Sequence, residues 1–128
     1  MRLTDLVRLV NRGMVGFDLA LGAGALLAPD ATLGALGHGS PSGDARALFR
    51  RCGPIWLTYA CAHAVAARRG RSEDWAGVAW LRATEIATDV VWSRSPAFSA
   101  PRSRAALWMA GAFNAALAAG AAREARLL

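Results

Sequence analysis

The stretch WLRATEIATDVVW, residues 80–92, decides which fold this chain adopts. It places Arg82, Glu85 and Asp89 inside an otherwise apolar run that has a tryptophan at each end. These charges are 3 and 4 residues apart, the spacing that puts side chains on one face of an α-helix. In apolar surroundings such a face must point into a helix bundle or a water-filled cavity. The stretch therefore predicts a helix with a polar inner face.

The rest of the chain is apolar and rich in small residues. Hydrophobic residues make up 55% of the 128 positions and charged residues 19%. Small residues let helix backbones approach closely, which favours packing between helices in lipid. The length predicts one domain, residues 1–128. Four apolar segments predict helices at about residues 4–28, 46–68, 74–93 and 103–124.

The charges outside residues 80–92 punctuate these segments. Every basic side chain is an arginine, and all except Arg82 fall beside or between the apolar runs, as charges do around spanning helices. They form no single basic face, so nucleic acid is not expected as a partner. A soluble bundle would need a polar stripe on every helix, and the first and fourth segments have almost none. We therefore predict an all-α fold, an up-and-down four-helix transmembrane bundle.

Tryptophans and arginines predict the orientation. In such a bundle Trp56, Trp92 and Trp108 mark one membrane interface, and Trp75 and Trp80 mark the other. The side that holds both termini carries eight arginines and the opposite side carries six, at positions 2, 8, 12, 68, 69, 71, 123 and 126 against 46, 50, 51, 94, 102 and 104. The positive-inside rule then places the termini in the cytoplasm.

The other helices supply polar groups that can meet residues 80–92. Asn11 and Asp18 share a face of the first helix, Tyr59 and His63 share a face of the second, and Asn114 is the polar side chain within the fourth. A carboxyl that is buried without a cation keeps its proton, since burial disfavours the charged form. A neutral acid beside an ionised one can donate and accept protons.

Two main interpretations of this set stay open, beside a third in which the polar groups handle an ion or a metal. In the structural one, Arg82 pairs with Glu85 or Asp89 to fix helix register, and Asp18 and Asn114 make hydrogen bonds between helices. In the functional one, the polar groups line a pocket and carry out acid/base chemistry on a lipophilic molecule. The candidate catalytic residues are Glu85, Asp89, Asp18 and His63, and the candidate substrate-binding residues are Arg82, Tyr59, Asn114, Trp56 and Trp92.

Within the functional interpretation, Glu85 or Asp89 is the acid, and the other carboxylate with Arg82 sets its protonation. Asp18 or His63 is the base. A metal site built from Glu85, Asp89 and His63 would be incomplete, because the chain has no ExxH pair. No metal and no cofactor are expected.

The layout resembles a group of small bacterial four-helix integral membrane proteins. The resemblance is carried by LLAPD at residues 26–30, LFRRCGPIWLTYA at 48–60 and WLRATEIATD at 80–89. More loosely it is similar to the EXPERA group, which includes sterol isomerases whose buried acids protonate and deprotonate a hydrocarbon skeleton. The resemblance implies a multi-pass protein of the bacterial inner membrane.

We therefore expect a membrane-embedded enzyme of the isomerase, epoxide-opening or cyclase type. Its substrate would be an isoprenoid, sterol-like or polyketide compound, and its surroundings the lipid bilayer. The alternative is a non-catalytic accessory subunit of a larger membrane complex. Small residues at Gly16, Ala20 and Gly24, or at Gly111 and Ala115, would serve contacts with a second copy or another membrane protein.

Overall fold

The computed structural model describes residues 2–127, and these fold into helices without a β-strand. Four long helices carry the architecture, joined by one short helix and one 3₁₀ turn. The elements are α1 (Leu3–Leu27), α2 (Pro29–Ala35), α3 (Gly43–Arg69), α4 (Ser72–Trp92), the 3₁₀ turn Pro96–Phe98, and α5 (Pro101–Glu124). The all-α prediction is confirmed, and the four long helices match the four predicted segments to within three residues at each end.

Local signals in the sequence explain where the helices begin and end. Pro29 and Pro101 occupy the first turns of α2 and α5, where a missing N–H costs nothing. The hydroxyl of Ser42 accepts a hydrogen bond from the N–H of Ala45 and caps α3. Gly70 ends α3 with φ at 64°, a left-handed conformation that glycine adopts without strain.

The long helices alternate in direction and form a closed bundle. Contacts are densest between α1 and α3 and between α4 and α5, and α3 against α4 and α1 against α5 join the two pairs. The start of α1 and the end of α5 therefore lie at one end of the bundle, called here the terminal end. The α2 segment and the 3₁₀ turn lie at the opposite end.

Glycines allow α1 and α3 to pack closely. A Cβ atom on Gly22 would lie 2.9 Å from the carbonyl oxygen of Gly53 and 2.8 Å from the Leu57 side chain. A Cβ atom on Gly53 would lie 2.6 Å from Leu26. All three distances are shorter than van der Waals contact, so this crossing requires glycine on both helices.

An apolar core fills the terminal end. Its buried members come from all four long helices and are Val7, Ala66, Trp75, Val78, Ala79, Ala121 and Ala125. Trp75 is only 2% exposed, so it is a core residue and not the interfacial tryptophan that the sequence predicted. A tryptophan in the first turn of a helix satisfies either role, and here it fills the space that the small alanines leave.

One helix of residues 2–127, α5, is long and apolar enough to cross a membrane by length and composition. The remaining long helices do not meet the same limits. Only 28% of the apolar window of α5 is buried inside the protein. Its outward side chains include Trp108, Met109 and Phe113, each more than half exposed.

Candidate functional site

Arg82 lies at the centre of the bundle. It is the eleventh of the 21 residues of α4 and is 2% exposed. Its guanidinium group is bound on three sides: Nη2 donates to the Asp18 carboxylate of α1, Nη1 donates to Oδ1 of Asn114 on α5 at 3.3 Å, and Nε donates to Nε2 of His63 on α3 at 2.9 Å. One side chain thus ties all four long helices together.

The partner of Arg82 differs from the one predicted by the structural interpretation of the sequence. Its salt bridge is with Asp18 of α1 and not with Glu85 or Asp89 of its own helix. Helical side chains lean toward the N-terminus of their helix, so Arg82 extends away from the two acids that follow it in α4. The salt bridge therefore links α1 with α4.

The hydrogen bonds around His63 assign its protonation state. Because Nε2 accepts from Arg82, it carries no proton, and the imidazole is neutral. The proton then lies on Nδ1, which faces Oδ1 of Asn11. The amide nitrogen of Asn11 also donates to the backbone carbonyl of His63 at 3.0 Å. Asn11 thus holds both the orientation and the tautomer of the ring.

Asn11 was placed on the face of Asp18 by its spacing but was not among the predicted site residues. It is fully buried, as Asp18 and His63 are. The signal that identifies it is its polarity at a position seven residues before Asp18 in an apolar helix. Buried amides need hydrogen-bond partners, so such a residue belongs to any polar interior built from that face.

Asp18 is bound through one oxygen only. Its Oδ2 accepts from Arg82 and lies 3.7 Å from Nε2 of His63. Its Oδ1 is buried and, within residues 2–127, has no hydrogen-bond partner. The two charges nevertheless compensate each other, because they are in direct contact and share a fully buried site.

Glu85 and Asp89 lie further along α4 toward the opposite end, and both are half-buried. The Tyr59 hydroxyl donates to Oε1 of Glu85 at 3.3 Å, and Nδ2 of Asn114 donates to Oδ2 of Asp89 at 3.4 Å. Both hydrogen bonds are long, and both donors are neutral. In the part of the chain that the structure describes, neither acid makes a salt bridge.

Tyr59 and Asn114 connect the two acids to the central arginine. The guanidinium carbon of Arg82 lies 5.2 Å from the centre of the Tyr59 ring, a cation–π distance. Asn114 accepts from Arg82 through its oxygen and donates to Asp89 through its nitrogen. The acids are therefore positioned by residues that Arg82 itself holds.

The structure brings seven of the nine predicted site residues together and leaves two outside. The seven are Asp18, Tyr59, His63, Arg82, Glu85, Asp89 and Asn114. Trp56 packs against Phe49, with ring centres 5.4 Å apart. Trp92 ends α4 and is 54% exposed. Neither tryptophan contacts the polar network through a hydrogen bond among the described residues.

The donor groups present do not suit a metal ion. Among residues 2–127 no group of three or more His, Cys, Asp or Glu side chains is arranged to hold one. The space between Asp18 and His63 contains the Arg82 guanidinium, which repels a second cation.

The chain was also compared with known proteins. Comparison with models of protein families, with characterised proteins and with solved structures finds no match. Function must therefore be argued from the site and its surroundings.

Proposed function

We propose that the chain is an integral membrane protein whose half-buried acids, Glu85 and Asp89, exchange protons with a lipophilic substrate. The observation that carries the proposal is the distribution of charge. The polar centre holds three acids and one cation, Arg82, and Arg82 forms its salt bridge with Asp18. Glu85 and Asp89 are left with neutral hydrogen-bond donors alone.

The inverted polarity of the bundle supports placement in a membrane. Among residues 2–127, six polar side chains are buried, namely Asn11, Asp18, His63, Arg82, Ser103 and Asn114. Large apolar side chains face outward, including Phe17 at 52% exposed, Trp80 at 71% and Val91 at 71%. Exposed apolar surface marks contact with a membrane or with another protein when it is large. Hydrocarbon around the bundle accounts for both halves of the pattern.

The dimensions of the bundle agree with this placement. At about 1.5 Å per residue, the 21 residues of α4 span about 30 Å, the thickness of a bilayer core. Arg82 follows Ser72 by ten residues (82 − 72), which places it close to mid-depth. We propose the bacterial inner membrane as the location and, from the arginine counts, termini in the cytoplasm.

The acid pair is suited to redox-neutral chemistry without a cofactor. A carboxyl that lacks a cation and is shielded from water retains its proton, because the charged form is poorly solvated there. One acid can then protonate an alkene carbon or an epoxide oxygen, and the other can remove a proton from a neighbouring carbon or hydroxyl. One proton is gained and one is lost, as isomerisation, cyclisation and internal epoxide opening all require.

The roles of Asp18 and His63 differ from their candidate roles in the sequence. Both are fully buried and have their ionisable atoms directed to Arg82. In this proposal they are positioning residues that hold Arg82, and through it Tyr59 and Asn114. The base is then whichever of Glu85 and Asp89 is ionised.

A carbodiimide experiment tests the protonation of the acids. Dicyclohexylcarbodiimide is lipophilic and reacts with protonated carboxyl groups, so at pH 7 it should modify Glu85 or Asp89 in the membrane-embedded protein. It should leave Asp18 unmodified, because Arg82 keeps that carboxylate ionised. Peptide mass spectrometry locates the adducts. Modification of Asp18 alone would contradict the charge assignment.

Turnover is tested with lipid extracts. Cells that produce the wild-type chain, Glu85→Gln, Asp89→Asn or the control Asp44→Asn are extracted, and their lipophilic compounds are compared by chromatography and mass spectrometry. Asp44 is exposed in the first turn of α3 and lies away from the site. The wild type and the control should convert a compound into an isomer of equal mass, and the two site variants should not. Equal profiles from all four would reject the enzymatic proposal.

One observation favours the second candidate function, an accessory subunit. Gly16 and Ala20 are exposed on α1, and a Cβ atom on Gly16 would meet nothing within 4 Å. By contrast Gly24 and Gly111 face Thr32 and Asp89 of the same chain. A small-residue surface lets another transmembrane helix approach closely. Co-purification of a stoichiometric membrane partner that Gly16→Leu releases would favour this function.

A further inference from the structure

A cavity lined by arginine lies at the terminal end of the bundle, about 15 Å or more from the acid pair along α4. It has a volume of about 510 Å³ and is formed where α1 begins, α3 meets α4 and α5 ends. Arg8, Arg123, Arg126 and Glu124 line it. Three positive charges against one negative charge leave a net charge of +2 (3 − 1) on these side chains.

The charges in this cavity are not all neutralised by the protein. Arg8 donates to Oε2 of Glu124 through Nε at 3.1 Å and Nη2 at 3.0 Å, which fixes the positions of both side chains. Arg123 and Arg126 make no salt bridge within residues 2–127. Arg123 and Arg126 thus line a cavity whose one carboxylate, that of Glu124, is already paired with Arg8.

The backbone at Arg126 is in an unfavourable conformation. Its φ is 60°, and it is the one described non-glycine residue with a positive φ. It lies two residues beyond the end of α5, at the position where helices ordinarily carry glycine. Arg126 lines the larger cavity.

A second, smaller cavity adjoins the first. Its volume is about 150 Å³, and it shares Arg8 and Gly70 with the larger one. Arg12, Arg69 and Trp75 also line it. The Nε1–H of Trp75 is buried and, among the described residues, has no acceptor.

We infer that these two adjoining cavities, called here the arginine groove, bind a phosphate group. The groove is lined by guanidinium groups, among them Arg123 and Arg126, which make no salt bridge within residues 2–127. Guanidinium groups donate hydrogen bonds, and the oxygens of a phosphate dianion only accept them. Two sources supply such a group: the headgroup of an anionic phospholipid, and a soluble phosphate or phosphate ester. In the proposed membrane orientation the groove lies at the cytoplasmic interface, where anionic headgroups are located.

Native mass spectrometry of the full chain in a neutral detergent tests this inference. The probes are dioleoylphosphatidylglycerol, dioleoylphosphatidylcholine with the same acyl chains and no net charge, glycerol phosphate and inorganic phosphate. One phosphatidylglycerol should bind at least tenfold more tightly than phosphatidylcholine. Binding of glycerol phosphate or inorganic phosphate at equal strength would assign the site to a soluble ligand, and weaker binding of both would assign it to the lipid.

Variants locate the site. The double variant Arg123→Gln with Arg126→Gln should weaken binding of the preferred probe by tenfold or more, since each arginine near an anionic membrane surface contributes about fivefold. The matched control is Arg50→Gln with Arg94→Gln, which removes the same charge from exposed positions at the opposite end.

Three results would overturn the inference. These are equal loss of binding in the control double variant, equal affinity for phosphatidylcholine and phosphatidylglycerol, and no binding of any of the four probes. The groove does not include Glu85 or Asp89, so loss of the acid chemistry in the lipid-extract experiment leaves this test unaffected. Conversely, a lack of phosphate binding in the groove would not contradict the proposed acid chemistry.

Discussion

Replacement of Arg82 by methionine is the most direct test of the polar centre. The substitution keeps an unbranched side chain of similar length and removes the charge. It leaves Asp18, which is fully buried, without its cation, and it leaves Nε2 of His63 and Oδ1 of Asn114 without their donor. Removing one member of a buried ion pair costs about 3–5 kcal/mol, and we expect Arg82→Met to lower the free energy of unfolding by that amount.

The double variant separates the ion pair from its surroundings. Asp18→Leu alone strands the Arg82 cation and should also cost about 3–5 kcal/mol. Asp18→Leu with Arg82→Met replaces both charges by apolar groups and leaves two unfilled acceptors, at about 1 kcal/mol each. The double variant should therefore lose only about 2 kcal/mol, and the coupling energy should be at least about 4 kcal/mol (3 + 3 − 2).

The assay is reversible unfolding of the purified protein in mixed micelles, followed by the helical circular dichroism signal. Domains of this size are stable by about 5–15 kcal/mol, so the single variants are destabilised within a measurable range. The control pair is Asp30 with Arg46, in contact at 2.8 Å with side chains 59% and 37% exposed. Its coupling should be about 0–1 kcal/mol. A coupling below about 1 kcal/mol for Asp18 with Arg82 would refute the proposed centre.

Three further outcomes are expected. Gly22→Ala should destabilise the bundle by about 1–3 kcal/mol, because the added Cβ atom would clash with the Gly53 carbonyl oxygen. The control Gly16→Ala on the same helix should be neutral or should stabilise the bundle by up to about 1 kcal/mol. Equal unfolding midpoints for the two variants would contradict the close approach of α1 and α3. Asn11→Leu should cost about 1–3 kcal/mol in the same assay, because His63 loses the acceptor for Nδ1–H, and a stability equal to wild type would argue against the assigned tautomer. Tyr59→Phe should speed carbodiimide labelling of Glu85 and leave Asp89 unchanged, because only Glu85 loses a donor that stabilises its charged form; equal changes at both acids would exclude that hydrogen bond.

The regular part of the fold was predictable from the sequence because its signals are local. Apolar runs broken by arginine and proline gave four long helices in nearly their observed positions. The short helix α2 lies between the first two predicted helices and was not predicted. Its seven residues are too few to show a helical period.

The sequence predicted most of the residues that form the polar site. It did not predict which acid pairs with Arg82. Polar residues within apolar helices must turn inward, which identifies Asp18, His63 and Asn114 without further knowledge. Whether Arg82 pairs with Asp18 or with Glu85 depends on the positions of α1 and α4 along the bundle axis relative to each other. A single sequence does not reveal those relative positions. Trp75 shows the same limit, since only the packing decides whether it faces lipid or core.

Arg82 pairs with Asp18 of α1, and this pairing separates the residues that stabilise the fold from the acids proposed to do the chemistry. If Arg82 had paired with Glu85, any change to the acids would have released a buried charge, and loss of activity would be inseparable from loss of the fold. Because Asp18 holds Arg82 instead, Glu85→Gln and Asp89→Asn leave every contact of the ion pair in place. These variants should unfold like the wild type in the micelle assay while they lose carbodiimide labelling. A bundle whose acids served only its stability would show the reverse, with labelling absent at the start and unfolding shifted by each substitution.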